Sequence, residues 1–414
     1  MNCRFCESAD LDLFLDLGFS PLGNSFLTEQ QMQEPEIHYP LQAYLCNSCK
    51  LSQLGYVPPP QTVYNPEYAY EAGITTLRKD HHKSMASSVS ERFDLEDNSL
   101  VIDIGSNVGI LLSAFKERGM NVVGIDASDN VAQIARDNGI PTITGFFGEK
   151  ISQELSTKFN TKAKVVTATN VFAHINDYTD FMNGVKNILS DDGVFIFQVH
   201  YFIDLVDKMQ YDMIFHEHIL FESIKPLVTF FKKHGMELFD VERFDIDGGV
   251  IRCYVSKPGK QKISSNVDVL LKLENEKKIH SKEGLLEFAN KVKQHREDLI
   301  SILNDLKKQK KRIVAVSMPA KGVALLNYSK IDSRLIEYAT ERSSLKIGKF
   351  APGNHIPIKS DEQLLLDSPD YALLLAWNFA DEIIANNKQF LENGGKFIVP
   401  IPTPKIVGLE DIRD

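Results

Sequence analysis

Residues 100–109 read LVIDIGSNVG, and this stretch decides the fold of the middle of the chain. A short apolar strand ends in Asp103 and is followed by a Gly-Ser-Asn-Val-Gly turn into the helical segment ILLSAFKERG. Gly105 permits the tight turn, and Gly109 allows the backbone to come close to a ligand. The succession of strand, glycine turn and helix therefore predicts an α/β fold with a ligand beside the N-terminus of the helix.

A second acidic residue follows at the spacing that a nucleoside cofactor needs. The next strand, MNVVGIDAS, ends in Asp126, where a carboxylate can accept hydrogen bonds from both hydroxyls of a ribose. The exact G-x-G-x-x-G string of dinucleotide sites is absent. The G-x-x-x-G loop after an acidic strand end instead resembles the first motif of class I S-adenosylmethionine methyltransferases. That resemblance implies cofactor contacts from Asp103, Gly105, Ser106, Asn107, Gly109, Asp126 and Asn170.

Further strands extend the pattern on both sides. IPTITGFFGE, KVVTATNVFAHI and GVFIFQVHYF continue a parallel sheet, and MELFDVERFD with GGVIRCYVSK predicts an antiparallel pair that closes it. Residues 259–310 have the periodicity of amphipathic helices, and residues 311–414 repeat the strand-loop-helix order of a second Rossmann-like unit. The loop SMPAKG lacks a phosphate-binding glycine pattern and no suitable acid ends the second strand, so we expect no second dinucleotide there. The predicted domains are 1–70, 71–258, 259–310 and 311–414.

Four of the five cysteines form two pairs near the start of the chain. Cys3 and Cys6, and then Cys46 and Cys49, have the C-x-x-C spacing that lets two thiolates bind one tetrahedral ion. Four sulfur ligands without an open position indicate a structural zinc ion rather than one that activates water. The fifth cysteine, Cys253, lies in the strand VIRCYVSK, and we expect a small core residue there.

The segment YDMIFHEH, residues 211–218, predicts the reactive part of the site. It places His216, Glu217 and His218 in a loop at the carboxyl edge of the sheet, where ligands of open α/β sheets collect. If the loop is extended, His216 and His218 share one side. A histidine there can accept a proton near neutral pH, and we expect the neighbouring carboxylate to raise its pKa. A second metal site and surface histidines are the alternatives, although H-E-H lacks the spacing of a helical zinc pair.

Taken together, these motifs resemble the sugar C-methyltransferase family over essentially the whole chain. The resemblance rests on the two C-x-x-C pairs, DIGSNVG, NVFAHIND and FHEH, followed by PAKGVALLN, PGNHIPI, PDYALLLAWNF and GGKFIVPIP. It implies a zinc-binding N-terminal domain, a central class I methyltransferase domain and a C-terminal Rossmann-like domain. A nucleotide-linked sugar would lie in the cleft between the last two.

The resemblance also assigns roles to individual residues. It implies that His218 is the base with Glu217 beside it, that His174 lies near the keto group of the sugar, and that the stretch EYAYEAG supplies Tyr70 and Tyr68 to the active site. The candidates for substrate binding are Tyr68, His216, Lys321 and His355. Lys321 and His355 have an ordinary structural role as their alternative.

Two residues depart from the family pattern. Many members have tyrosine where this chain has Phe215, and glutamate where it has Gln198. The loss of a hydroxyl beside the base removes a donor that could stabilise an enolate. The mechanism or the stereochemistry of the product can therefore differ.

Composition narrows the possible partners. The 46 basic and 56 acidic residues give a net charge of -10, which speaks against nucleic-acid binding. The sequence contains no apolar run long enough for a bilayer and begins without a secretory pattern, so we expect a cytoplasmic monomer or small homo-oligomer. Its expected partner is a dTDP-, CDP- or GDP-linked sugar, and its cofactors are S-adenosylmethionine and structural zinc. The competing hypotheses are a methyltransferase for oxygen, nitrogen or a macromolecule, and a binding protein that has lost catalysis.

Overall fold

The computed structural model describes residues 1–63 and 76–412. Its N-terminal unit is an antiparallel sheet whose strands are separated by the turns that carry the cysteine pairs. The elements are β1 (Leu11–Ser20), β2 (Tyr39–Cys46), β3 (Ser52–Leu54) and the short helix α1 (Pro60–Val63). β2 pairs with both β1 and β3, so the second cysteine pair lies at the turn that joins β2 to β3.

The central unit alternates strands and helices. Its elements are α2 (Thr76–Arg92), β4 (Leu100–Ile104), α3 (Ile110–Glu117), β5 (Asn121–Asp126), α4 (Asp129–Asp137), β6 (Thr142–Thr144), α5 (Glu149–Phe159), β7 (Ala163–Thr169), α6 (Tyr178–Ile188), β8 (Leu189–His200), α7 (Phe202–Asp207), β9 (Leu220–Phe221), α8 (Ile224–Lys233), β10 (Glu237–Phe244) and β11 (Val250–Ser256). All five residues of β4 are buried, as its uninterrupted apolar run requires of a strand covered on both faces.

Seven of these strands form one sheet in the order β10-β11-β8-β7-β4-β5-β6. The strands from β8 to β6 are parallel, and β11 pairs antiparallel with both β8 and β10. The predicted antiparallel pair is thereby confirmed. Because parallel strands end at one edge, the loops after β4, β5, β7 and β8 meet there.

β9 does not join this sheet but extends the N-terminal one. It pairs with β3 through Ser52 opposite Phe221 and Gln53 opposite Leu220, and the amide of Leu54 donates to the carbonyl of Ile219 over 2.9 Å. The segment that directly follows residue 218 is therefore held by the zinc-ligand unit. This pairing joins positions far apart in the sequence.

Two helices, α9 (Ser265–Glu276) and α10 (Lys282–Lys308), fill most of the predicted connector. Each begins after a serine, Ser264 and Ser281, whose hydroxyl accepts a hydrogen bond from a backbone amide of the first turn. The periodicity-based prediction of helices in this region is confirmed. They pack with the central and C-terminal units in one continuous hydrophobic core.

The C-terminal unit is a second α/β sheet in the order β14-β13-β12-β15-β16-β17. Its elements are β12 (Ile313–Val316), α11 (Ala320–Ser329), β13 (Ala339–Glu341), β14 (Ile358–Ser360), α12 (Gln363–Asp367), β15 (Tyr371–Leu374), α13 (Ala380–Asn386), α14 (Lys388–Glu392), β16 (Lys396–Val399) and β17 (Lys405–Val407). All pairings are parallel except that of β17. Within the described ranges, no helix is long and apolar enough to cross a membrane.

Candidate active site

A cavity of about 700 Å³ opens at the carboxyl edge of the central sheet. Loops after β4, β5, β7 and β8 form one side of it, and loops after β12, β13 and β15 form the other. The N-terminal unit contributes Asn24. All three units therefore contribute to one chamber whose size suits a ligand larger than a single metabolite ring.

The glycine turn after β4 has the backbone that its sequence predicts. Gly105 has φ +67° and Gly109 has φ +82°, in the left-handed region that glycine adopts without strain. A Cβ atom on Gly105 would lie 2.3 Å from Cγ2 of Val171, so the turn also excludes a side chain by contact. The turn leaves backbone exposed to the cavity from Gly105 to Val108.

Asp126 ends β5 at the rim of the same chamber. One carboxylate oxygen accepts from the backbone amide of Asn107 and the other from that of Ser128, each over 2.9 Å. Burial nevertheless raises its pKa above the usual value. A carboxylate fixed in this way retains lone pairs for the hydroxyls of a ribose.

The neighbouring polar groups also fit a nucleoside and amino-acid ligand. Asp103 accepts from the hydroxyl of Thr167 over 2.7 Å, and burial raises its pKa to about 7. Ser106 Oγ and Asn170 Oδ1 are buried without a hydrogen-bond partner in the described part of the chain. Buried polar atoms are normally paired, so these two positions suit a bound ligand. Of the seven predicted cofactor residues, those that line the cavity are Asp103, Gly105, Ser106, Asn107, Asp126 and Asn170, whereas Gly109 ends the turn immediately before α3.

His218 lies in the wall of the cavity with its tautomer fixed. A turn brings its backbone amide to the carbonyl of Phe215 over 2.9 Å, and Nδ1 lies 2.8 Å from the carbonyl oxygen of Met213. Because a carbonyl can only accept, Nδ1 carries the hydrogen and Nε2 keeps its lone pair. His174 and His200 surround the ring, with centroids 5.1 Å and 5.4 Å away.

The protonation of this histidine cluster differs from the expectation. Burial lowers the pKa of His174 and of His200 to about 4, and burial with the two neighbouring imidazoles holds the pKa of His218 well below its usual value. The expected rise caused by Glu217 is wrong, because desolvation outweighs any carboxylate effect. Glu217 instead accepts from the Asn24 side-chain amide over 2.8 Å.

The H-E-H segment is a tight turn rather than the extended loop in which His216 and His218 would share one side. Glu217 and His218 line the cavity, whereas His216 points to the N-terminal unit with Nε2 3.3 Å from the carbonyl of Pro40. His355 also lies outside the cavity lining, 3.0 Å from the carboxylate of Glu36. Substrate contacts from His216 and His355 stay predictions.

Two predicted active-site residues, Tyr68 and Tyr70, lie outside the described residues.

The expectation that no suitable acid ends the second strand of the C-terminal unit is wrong. Glu341 ends β13, so an acid does close the second strand of the C-terminal unit. Its carboxylate accepts from Lys346 over 3.1 Å and from the amide of Met318 over 3.2 Å.

Several cavity residues were missed from the sequence. His200 ends β8, where the strand-edge rule would have identified it. Arg78 and Asp247 form an ion pair of 2.9 Å that joins α2 to the turn between β10 and β11, and no sequence spacing connects them. Gln198 accepts from buried Arg252 over 3.2 Å, an amide oxygen where a carboxylate would have balanced the charge.

The ring of Phe215 packs against the imidazole of His218 at a tilt of 41°, with ring centroids 4.1 Å apart. It packs with Ala320 and Ala324 of α11, so it also joins the central and C-terminal units. Its ring contributes no hydroxyl to the cavity. Any donor for a developing oxyanion must therefore come from another residue.

The four N-terminal cysteines converge as their spacing predicts. Their sulfur atoms all lie within 4.8 Å of one another, with Cys3 and Cys49 3.4 Å apart and Cys6 and Cys46 3.6 Å apart. A tetrahedral zinc with bonds of 2.3 Å separates its sulfurs by about 3.8 Å, so the cluster has the right size. All four thiols are free of disulfides. Cys253 is buried in β11, as expected of a core residue.

Known families match nearly the whole chain. Residues 3–64 match "Putative zinc binding domain", residues 77–241 match "Methyltransferase domain", and residues 245–402 match "C-methyltransferase C-terminal domain". C-methyltransferase NovU of Streptomyces niveus is 34% identical over 410 residues, which cover 99% of this chain and 97% of that protein.

Solved structures resemble part of the chain. A S-adenosylmethionine-dependent methyltransferase from Clostridium acetobutylicum ATCC 824 covers 45% of this chain and 94% of its own, with 16% identity and a TM-score of 0.34. Magnesium protoporphyrin IX methyltransferase from Synechocystis PCC 6803, solved with bound S-adenosylmethionine, covers 48% of this chain and 88% of its own, with 12% identity and a TM-score of 0.33.

Proposed function

Because the chain belongs to the C-methyltransferase family, we propose that it methylates carbon 3 of a nucleotide-linked 4-keto-deoxysugar. S-adenosylmethionine is its methyl donor, and its N-terminal domain binds zinc. The observation that carries the sugar proposal is His218, whose unprotonated Nε2 belongs to a buried imidazole in the cavity wall. Transfer to oxygen or nitrogen can proceed by positioning alone, whereas transfer to carbon beside a ketone needs a base.

The residues at the carboxyl edge would hold the cofactor. Asp126 would accept from the ribose hydroxyls, and Ser106 and Asn170 would use their unpartnered atoms on the rest of the ligand. When bound, S-adenosylmethionine supplies an electrophilic methyl group on a cationic sulfur. Gly105 would let the backbone of the turn approach the cofactor closely. A side chain at this position would collide with Val171.

His218 would remove the proton next to the ketone. The carbon–hydrogen bond breaks, the proton passes to Nε2, and the electron pair moves through the carbon–carbon bond to the ketone oxygen as an enolate. The Met213 carbonyl keeps the opposite nitrogen protonated and the ring oriented. His174, whose ring centroid lies 5.1 Å from that of His218, would contact the sugar, and Asn24 holds Glu217 at the same wall. The depressed pKa keeps His218 unprotonated at neutral pH.

The C-terminal wall would bind the nucleotide. Cations line the chamber there, with Arg342 on the loop after β13 and Lys346 bonded to Glu341. Arg342 pairs with Asp361 over 2.8 Å and Lys346 with Glu341 over 3.1 Å, and a bound diphosphate would share these cations with the carboxylates. The nucleotide would then extend away from His218, with the sugar between the two units.

The direct test is proton exchange. The protein is incubated in D₂O with S-adenosylhomocysteine and a panel of dTDP-, CDP- and GDP-linked 4-keto-6-deoxysugars, and deuterium at carbon 3 is followed by mass spectrometry. We expect exchange with at least one sugar and methylation of that sugar when S-adenosylmethionine replaces the product. Methylation of a macromolecule, with no turnover of any sugar, would contradict the proposal.

A variant then tests the base. We expect His218→Ala and His218→Gln to lose both exchange and methylation while the dissociation constant of the cofactor is unchanged, because His218 does not contribute to the cofactor turn. His38→Ala, at a half-exposed histidine of the N-terminal unit, is the matched control and should retain both activities. Unchanged turnover in the His218 variants would refute the assigned role.

A further inference from the structure

A buried lysine stands in the same cavity as the proposed base. Lys321, in the first turn of α11, lines the chamber and is 8% exposed. Its Nζ donates to Oδ1 of Asn378 and lies 3.9 Å from the centroid of the Trp377 ring. An ammonium group has three hydrogens, and the amide oxygen and the ring face account for two of them. In the described part of the chain, the third has no acceptor.

The lysine is fixed relative to the loop that carries His218. Trp377 donates through Nε1 to Oδ2 of Asp212 over 2.6 Å, and Asp212 lies fully buried six residues before His218. The carboxylate of Asp212 attracts the ammonium of Lys321. One contact chain thus connects the C-terminal unit to the histidine turn. The lysine is therefore oriented before substrate binds, as an electrostatic catalyst must be.

The ketone oxygen of the substrate needs a hydrogen-bond donor, and Phe215, whose ring lies beside His218, cannot supply one. Proton removal by His218 places negative charge on this oxygen. Phe215 also packs on Ala320, the residue next to Lys321. Lys321, His200 and His218 all line the same cavity.

We propose that Lys321 binds the ketone oxygen of the substrate and stabilises the enolate, so that it is a catalytic residue rather than a phosphate ligand. This inference rests on the proposed function. As the carbon–hydrogen bond breaks, its proton passes to His218 and the oxygen gains the electron pair while it accepts a hydrogen bond from Lys321. When the carbon bonds to the methyl group, the pair of the carbon–sulfur bond remains on sulfur and the carbonyl re-forms. Lys321 keeps its protons throughout.

The test compares exchange and methylation in two lysine variants. For the sugar of the panel that the wild-type protein exchanges, we expect Lys321→Met to lower kcat for exchange and for methylation by about 100-fold or more, the usual effect of removing one oxyanion donor. KM for the sugar should change less than threefold, since the nucleotide contacts remain. Lys321→Arg should retain an intermediate rate because it keeps the charge. Lys308→Met, at an exposed lysine of α10, should behave as wild type.

A pH profile gives a readout that a structural role would not change. The groups facing Lys321 are Asp212, Asp247, Arg78, His200 and His218. Burial lowers the pKa of Lys321 to about 8, so the ammonium is lost as the pH rises through that value. We expect exchange by the wild-type protein to fall above pH 8, and exchange by Lys321→Arg to continue to about pH 10, because arginine stays protonated.

Two outcomes would overturn the inference. If Lys321→Met exchanges at the wild-type rate but binds the sugar at least tenfold more weakly, the lysine is a phosphate ligand. If Lys321→Met fails to fold, as judged by its melting temperature and cofactor affinity, the Lys321→Arg profile decides, and a decline at the wild-type pH contradicts the proposal. Absence of exchange by the wild-type protein with every sugar would instead reject the proposed function on which the inference depends.

Discussion

Gly105 is the residue at which backbone conformation and cofactor binding coincide. Its φ of +67° and the 2.3 Å contact that a Cβ would make with Val171 exclude alanine for two separate reasons. We expect Gly105→Ala to lower the free energy of unfolding by about 2–3 kcal/mol and to weaken S-adenosylmethionine binding at least tenfold. Urea unfolding and isothermal titration calorimetry measure the two effects.

Gly235→Ala separates the effect of the positive φ from the effect of the side-chain contact. Gly235 also has a positive φ, +69°, but a Cβ there would meet nothing within 4 Å. We expect a cost of about 1 kcal/mol from backbone strain alone and unchanged cofactor affinity. Equal losses of stability and affinity in both variants would show that the contact with Val171 does not matter.

The buried imidazole of His218 would determine how the exchange rate depends on pH. Burial and the rings of His174 and His200 depress its pKa, so its basic form persists below the usual histidine value of 6.5. We expect the rate of exchange at carbon 3 to remain constant as the pH falls through 6.5 and to decline only at more acidic pH. A half-maximal rate near pH 6.5 would indicate a solvated histidine and contradict the geometry described above.

At the scale of elements, the sequence predicts strands and turns formed by neighbouring residues but does not predict pairings between distant segments. The strands that end in Asp103 and Asp126 were predictable because apolar runs, glycines and acids follow one another in order. The conformation of the loop at Phe215–His218 was not predictable, since nothing local shows that the next strand, β9, pairs with β3 of the N-terminal unit. In this turn His216 faces the N-terminal unit and Glu217 lines the cavity.

The zinc-binding turns are an element whose stability depends on the metal. We expect Cys46→Ser to lose the bound zinc, to lower the melting temperature and to abolish methylation, because the turn after β2 supplies two of the four ligands and leads into β3, the partner of β9. Inductively coupled plasma mass spectrometry and thermal unfolding provide the readouts. Cys253→Ala is the control. It should retain one zinc per chain while losing only core packing. Full zinc content in Cys46→Ser would contradict the four-cysteine site.

At the scale of the whole molecule, the sequence predicts the N-terminal, central and C-terminal units but not the contacts between distant residues. The succession of cysteine pairs, glycine turn and second α/β unit was readable from the chain. The contacts Asn24 to Glu217, Arg78 to Asp247 and Trp377 to Asp212 were not, because each joins residues more than 160 positions apart. Two of these contacts, Asn24 to Glu217 and Trp377 to Asp212, join different units of the molecule.

The contact between Asn24 and Glu217 places the zinc-binding unit in the wall of the cavity. Both side chains are buried, and Asn24 donates to Glu217 over 2.8 Å. We expect Asn24→Ala to reduce kcat for methylation at least tenfold with zinc content unchanged, because the carboxylate loses a buried donor worth about 1–3 kcal/mol. Gln42→Ala, which removes an exposed hydrogen bond on the same unit, should leave kcat unchanged. Equal rates in the two variants would limit the N-terminal unit to a structural role.

The most direct measurement is a crystal structure of the protein with S-adenosylhomocysteine and the nucleotide-linked keto sugar that it exchanges. We expect His218 Nε2 to lie about 3–3.5 Å from the carbon beside the ketone, on a sugar held between the central sheet and α11. A sugar bound elsewhere, or an imidazole of residue 218 turned away from that carbon, would contradict this expectation.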